Sequence, residues 1–282
     1  MNQMFFSEDV TRLLRDALRE DIGTGDITTL SVIDSDRQGY GRYIAKEDGV
    51  LCGMDVVEAV FRMLDPSVVL TRHMEDGASF SRGDVLAEVR GNAVSILSGE
   101  RVGLNLLQHL SGVATRTREA VDTVAGTSAQ IVDTRKTTPG MRVLEKYAVR
   151  VGGGSNHRFN LADGVLIKDN HIVAAGSITE AVRAAKRRAP HTLKVEVETE
   201  TMEQVDEAIA AGADIIMLDN MDNETMRAAV ERVAGRALTE ASGNMGERDL
   251  RSVAETGVDL ISIGALTHSV RALDISLKFV VE

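Results

Sequence analysis

The 282-residue chain is long for one ordinary domain and short for three, and its 43% hydrophobic and 27% charged residues exclude a disordered protein. A net charge of -11, with three Tyr, six Phe and no Trp, argues against nonspecific nucleic-acid binding, which needs a basic surface and stacking aromatics. No apolar run approaches the roughly 18 residues of a membrane span. The start, MNQMFFSEDVTRLL, has no basic stretch leading into an apolar core, so no secretory leader is expected. One cysteine, Cys52, makes neither an internal disulfide nor a Cys-rich zinc site, and a reduced, cytoplasmic setting is expected.

Val10, Leu13, Leu14, Ala17 and Leu18 recur at helical spacing and predict an amphipathic helix running into the Gly-rich turn EDIGTGDITT. Residues 38–98 read as short strands broken at glycines. Between them lies a helix with Val56, Val57, Val60, Phe61 and Leu64 on one side, which together suggest a small α+β domain. A helix over about Ser98 to Val124 bridges to a different pattern. From there, short apolar runs ending in polar residues alternate with helical segments: AQIVDTRK, GVLIKDN, LKVEVE, ADIIMLDN, RALTEASGN and VDLISIG. The segment PGMRVLEKYAVRV has Pro139 near its start and Gly152 past its end, as a helix should.

Strand alternating with helix predicts a parallel sheet or barrel. With Thr134, Lys168, Glu198, Asp219, Ser242 and Gly264 as strand ends, the βα units are near-regular but far short of the roughly 250 residues of an eight-fold barrel. An incomplete barrel of six or seven strands is expected over residues 111–269. Residues 1–110 form the first domain, with the tail 270–282 available to pack with it.

Working residues of barrels sit at the carboxyl ends of strands. Here all six expected ends carry a polar group or glycine, and their register points to one site. Residues 101–171 hold ten Lys or Arg against six Asp or Glu, a positive island in an acidic chain that suits a small polyanion. Within it, Arg135 and Lys136 follow a strand, Arg158 follows His157, and Lys168 ends the next strand. Arginine grips carboxylate or phosphate with two parallel hydrogen bonds, and lysine acts as a point charge. His157 beside an arginine is expected to donate a hydrogen bond to an anion rather than to act as an acid or base. Glu198 and Asp219 end adjacent strands. They suit a magnesium ion held by few protein ligands, hydrogen bonds to ribose hydroxyls, or stabilisation of positive charge on a sugar carbon. The late ends EASGN and ISIGALT suit a phosphate cradled by backbone N–H groups.

The block DTRKTTPGMRVLEKYAVRVGGGSNHRFNLADGVLIKDNHI, with EDIGTGDITT, GERVGLNLLQHLSGVATRT, KVEVE, IMLDN, EASGN and ISIGALTHS, closely resembles quinolinate phosphoribosyltransferases over nearly the whole chain. The resemblance implies an N-terminal α/β sandwich domain, an incomplete α/β barrel, and transfer of phosphoribosyl from phosphoribosyl pyrophosphate to quinolinate with decarboxylation, in NAD biosynthesis. It also implies site roles. Arg135, His157, Arg158 and Lys168 would bind quinolinate, joined by Arg101 from the second subunit of a homodimer with shared sites, and Thr134 would be a further substrate-binding residue. Lys136, Glu198 and Asp219 would surround phosphoribosyl pyrophosphate and Mg2+, making these three with Lys168 the expected catalytic group. Ser242, Gly243, Asn244, Ile263, Gly264 and Ala265 would cradle the 5-phosphate. Asn244 departs from the pattern, where many relatives have glycine. The competing readings are a homologue with a different acceptor, of the molybdate-transport-associated type, a Schiff-base aldolase using Lys168, and a noncatalytic anion-binding protein.

Overall fold

The computed structural model describes residues 7–281. Residues 1–6 and 282, which the expected domains take in, lie outside the described residues. In chain order the elements are α1 (Glu8–Ile22), α2 (Ile27–Val32), β1 (Gln38–Ala45), β2 (Gly49–Val50), α3 (Met54–Leu64), β3 (Val69–Arg72), β4 (Ser79–Phe80), β5 (Val85–Asn92) and α4 (Ala93–Thr123). Then come β6 (Gln130–Val132), α5 (Arg142–Val151), β7 (Val165–Ile167), α6 (Asp169–Ala175), α7 (Ile178–Arg188), β8 (Val195–Thr199) and α8 (Met202–Ala211). The chain ends with β9 (Ile215–Asp219), α9 (Asn223–Val233), β10 (Leu238–Ser242), α10 (Leu250–Ala254), β11 (Leu260–Ser262), α11 (Ala265–His268) and β12 (Ile275–Val281).

Two compact units result, and they interleave in sequence. Residues to Arg118, Thr138–Gly153 and those from Val270 form one; Glu119–Thr137 and Gly154–Ser269 form the other. The expected single boundary near residue 110 instead falls inside the unbroken helix α4. No Pro or Gly-rich linker interrupts that helix, so continuity of the element and compactness of the domain part company there.

In the first unit the Gly-rich turn is a stop and a restart. Gly23 ends α1 in the left-handed region at φ 57°, and the Asp26 carboxylate starts α2 by accepting the Thr29 N–H at 3.0 Å. An antiparallel sheet of order β12-β1-β5-β3 follows, with β12 paired to β1 from Ala45↔Ile275 to Gly39↔Val281. Its core is apolar: Tyr43, Leu51, Phe61, Leu86, Ile96 and Leu107 are essentially inaccessible. α5 begins at Arg142 rather than at Pro139 and ends at Gly152. Gly152 has an ordinary right-handed φ of -68°, so it is not a left-handed stop. Glycine is needed because a Cβ there would lie 2.5 Å from the Ala114 carbonyl oxygen.

The second unit is a six-stranded parallel sheet of order β6-β11-β10-β9-β8-β7, an incomplete α/β barrel. Its strands finish within two residues of the expected ends. Side chains alternate across the sheet. Val195, Val197, Ile216, Leu218, Ala241 and Ile261 are buried; these alternate with the cavity-facing positions and so lie on the face met by α7 and α8 at β8, α8 at β9, and α9 at β10. The other set faces the barrel interior, and there the sequence turns polar. Beyond β6 the ring is continued, among the described residues, by an isolated bridge, Val132 to Ser155.

Candidate active site

The strand ends of the barrel enclose a cavity of about 360 Å³. Thr134, Arg135 and Lys136 reach it from the exit of β6, His157 and Arg158 from the segment bridged to β6, and Lys168 from β7. Glu198, Asp219 and Ser242 line it from the ends of β8, β9 and β10. Nine residues expected to share one site are thus brought together by one unit.

The phosphate-cradle residues divide. Gly243 and Asn244 continue from Ser242 in left-handed conformations, at φ 93° and 51°. A Cβ on Gly243 would lie 2.3 Å from Asn220 Oδ1 and 2.7 Å from its backbone nitrogen, so no side chain fits. Asn244 is the residue type, after glycine, that tolerates this backbone best, which explains why either serves. Ile263, Gly264 and Ala265 lead into α11 beside Lys136, since a Cβ on Gly264 would meet Lys136 Cδ at 3.0 Å. Thr267, one helical step on, donates to the Lys136 carbonyl at 2.7 Å and so holds the β6 exit loop. Arg101 lies elsewhere, exposed on α4 in the first unit.

Cations and carboxylates both line the cavity. Lys168 donates to Glu198 Oε2 at 2.7 Å, and Asn220 donates to Asp219 Oδ2 at 2.6 Å. The Lys168 amine is therefore engaged as a donor, which does not suit the nucleophile of a Schiff-base aldolase. Arg158 donates from Nη1 to the Gly164 carbonyl at 3.0 Å. Burial, and then repulsion from Arg135, pull the Arg158 guanidinium below its usual range, against a smaller opposing pull from Glu196. Two guanidiniums that repel each other in a partly desolvated pocket define a place for an anion.

Below this lip lies a layer that the sequence reading missed. His157 Nε2 is 3.0 Å from Glu196 Oε2 and 3.7 Å from Glu240 Oε2, and both glutamates are buried, at 4% and 1% exposure. Burial, then repulsion from Glu196, push the Glu240 carboxyl up to about 7, with His157 opposing. The other ring nitrogen, Nδ1, accepts the Arg158 main-chain N–H at 2.7 Å. Nδ1 is thus an acceptor and Nε2 carries the hydrogen. With Nε2 facing Glu196 and Nδ1 accepting from Arg158, the ring at the cavity wall also braces Arg158. Asp133, fully buried, completes the brace by accepting the His157 main-chain N–H at 2.9 Å and the Asn156 amide at 2.6 Å. A signal for the missing pair existed: if Glu198 and Ser242 face the interior, the period of two puts Glu196 and Glu240 there as well.

Fold and site together define an α/β-barrel enzyme with a cationic pocket facing carboxylates across the strand ends. The family description "Quinolinate phosphoribosyl transferase, N-terminal domain" matches residues 26–111, and the corresponding C-terminal domain matches residues 113–278. A probable nicotinate-nucleotide pyrophosphorylase [carboxylating] of Bacillus subtilis (strain 168) is 50% identical over 94% of this chain and 92% of its own length. The corresponding protein of Mycobacterium leprae (strain TN) is 46% identical over 94% and 95%. The solved nicotinate-nucleotide pyrophosphorylase of Francisella tularensis superposes with a TM-score of 0.92 at 41% identity, over 97% of this chain and 96% of that one. The chain belongs to the quinolinate phosphoribosyltransferase family and is a phosphoribosyltransferase.

Proposed function

We propose that the protein transfers phosphoribosyl from phosphoribosyl pyrophosphate to the ring nitrogen of quinolinate, releasing pyrophosphate and carbon dioxide and forming nicotinate mononucleotide for NAD biosynthesis. The observation that carries this reading is that Arg135 and Arg158 share one cavity with Lys168, Glu198 and Asp219. A planar dicarboxylate fits between the guanidiniums with Lys168 beside it. Lys136, held by Thr267, reaches the pyrophosphoryl end. As pyrophosphate leaves, positive charge grows on the anomeric carbon, and Glu198 or Asp219 stabilises it through space. The ring nitrogen attacks and becomes quaternary, and the positive ring then takes up the electron pair left when the adjacent carboxylate departs as carbon dioxide.

Glu198 and Asp219 fit magnesium in the manner of enzymes that hold the ion with one or two carboxylates plus substrate phosphates and water. When bound, Mg2+ offsets charge on the pyrophosphate. These two residues are distinct from the buried trio of His157, Glu196 and Glu240.

Arg101, exposed on α4, supports a homodimer in which each site takes this arginine from the second copy. Co-expressed Arg101→Ala and Lys136→Ala chains, each inactive alone, should recover about a quarter of wild-type activity, because half of the dimers are mixed and each mixed dimer has one intact site. No recovery would remove the shared site. Among the described residues no helix is long and apolar enough to cross a membrane. The buried free thiol of Cys52 supports a cytoplasmic setting.

The reading is tested by supplying purified protein with quinolinate, phosphoribosyl pyrophosphate and Mg2+ and following carbon dioxide and mononucleotide together. Stoichiometric release of both, with no turnover of nicotinate, is expected. Turnover of nicotinate alone would overturn the acceptor.

A further inference from the structure

The buried pair Glu196 and Glu240 has no role in the reaction as described, yet it sits at the centre of the barrel. β8 supplies Glu196 one step below Glu198, and β10 supplies Glu240 one step below Ser242. Glu196 Oε1 and both Glu240 oxygens accept no hydrogen bond from the described residues. The Ser262 hydroxyl, which acts on Glu240 from β11, donates to the Ala241 carbonyl at 3.4 Å instead. Leaving carboxylate oxygens unsatisfied inside a protein destabilises it. A barrel interior of valine and leucine would avoid that cost, so stability alone does not account for the pair.

Geometry supplies the account. The closest polar contact of the pair is with His157 Nε2, 3.0 Å from Glu196 Oε2, and it fixes which nitrogen of that ring carries hydrogen. With Nε2–H committed downward to Glu196, Nδ1 is left as an acceptor and captures the Arg158 main-chain N–H. The guanidinium of the same residue reaches the Gly164 carbonyl, beside Arg135. Each link therefore orients the next, from carboxylates through imidazole to guanidinium. Without the acceptor below, the imidazole could flip and present a donor to the Arg158 N–H, and the chain would break.

We propose that Glu196 and Glu240 are positioning residues for the acceptor pocket, acting through the ring orientation of His157 to set the place of Arg158 without touching substrate. This rests on the reading that Arg135 and Arg158 grip the dicarboxylate acceptor. A second cavity, of about 530 Å³ at the strand starts, meets the same layer from the opposite mouth, since His157, Arg158 and Glu240 line both. The carboxylates face that side, and Glu196 lines only this second cavity. That placement agrees with support from behind rather than contact in front.

The test uses Glu196→Leu, Glu196→Gln and Glu240→Gln in the full-length protein, with KM measured separately for quinolinate and phosphoribosyl pyrophosphate. Loss of one buried charged hydrogen bond predicts a rise of roughly tenfold in the quinolinate KM for Glu196→Leu, with the other KM and kcat within about twofold. Glu196→Gln keeps an acceptor for Nε2–H and should restore most of the loss. Glu240→Gln, whose contact with the ring is longer, should have the smaller effect. Nitrogen-15 NMR of histidine-labelled protein gives a readout that does not depend on turnover or on folding of the variant. Wild-type His157 should show hydrogen on Nε2 and a bare Nδ1. Hydrogen on Nδ1 in the wild type, or equal rises in both KM values, would overturn the assignment. So would one equivalent of zinc retained after dialysis of the wild type and lost in Glu240→Gln, since the trio would then be a metal site. Wild-type protein that fails to use quinolinate at all sinks the acceptor reading first, and the NMR result then stands separately.

Discussion

The two units solve the interior of a sheet in opposite ways. The antiparallel sheet of the first unit presses Tyr43, Leu86 and Val89 onto α3 and α4 residues such as Phe61, Ile96 and Leu107, and the result is uniformly apolar. The barrel of the second unit packs Val197, Ile216, Leu218 and Ala241 on the helix-facing surface and sets Glu196, Glu198, Asp219, Glu240 and Ser242 among apolar residues such as Leu166 and Met217 on the inner one. One interior is specified by volume, the other by charge and hydrogen bonding. Substitutions in the first should therefore act mainly through stability, and those at the strand ends of the second mainly through substrate affinity.

The largest effect expected is Phe61→Ala, which empties a fully buried site and should cost about 3–5 kcal/mol of stability by chemical denaturation, leaving KM and kcat per folded molecule unchanged. A changed KM would break the division between the two interiors. Next is Arg158→Ala, expected to raise the quinolinate KM by about a hundredfold while the phosphoribosyl pyrophosphate KM moves far less and the midpoint of unfolding stays close to wild type. Equal losses for both substrates would remove Arg158 from the acceptor pocket.

A third effect sharpens the comparison through pH. The Glu240 carboxyl is pushed up to about 7 by burial and by Glu196, against an ordinary value of 4.5. Between those values the folded protein holds a proton that the unfolded chain has lost, so stability falls as pH rises through this window. Wild type should accordingly melt at a lower temperature at about pH 8 than at about pH 5, and Glu240→Gln should remove the part of that difference due to this carboxyl. An unaltered pH slope in the variant would show that Glu240 does not hold the proton. The smallest effect is Asn244→Gly. Both residues accept φ 51°, so stability should shift by less than about 1 kcal/mol and neither KM should change. A loss of affinity for phosphoribosyl pyrophosphate would mean that the side chain, and not the backbone, meets the phosphate.

The legible part of this molecule is what repeats locally. Apolar runs closing on a polar residue located the six barrel strands to within two residues, and those ends delivered Arg135, Lys168, Glu198, Asp219 and Ser242 to one cavity. Two things were not legible in the same way. The interleaving of the units depends on pairs such as Gly39 with Val281, which no local pattern announces. The other is the layer beneath His157, because a histidine next to an arginine does not announce the carboxylate under its ring. Glu196 lies two places before the strand-end residue in VEVET, on the same face of the strand.

The seam of the unfinished ring closes on these observations. Past β6 the sheet continues, among the described residues, as the bridge from Val132 to Ser155, and the strand β7 begins at Val165. Across that gap the Arg158 guanidinium ties to the Gly164 carbonyl, immediately before β7. The Arg158 side chain therefore also spans the seam, joining the bridged segment to the start of β7.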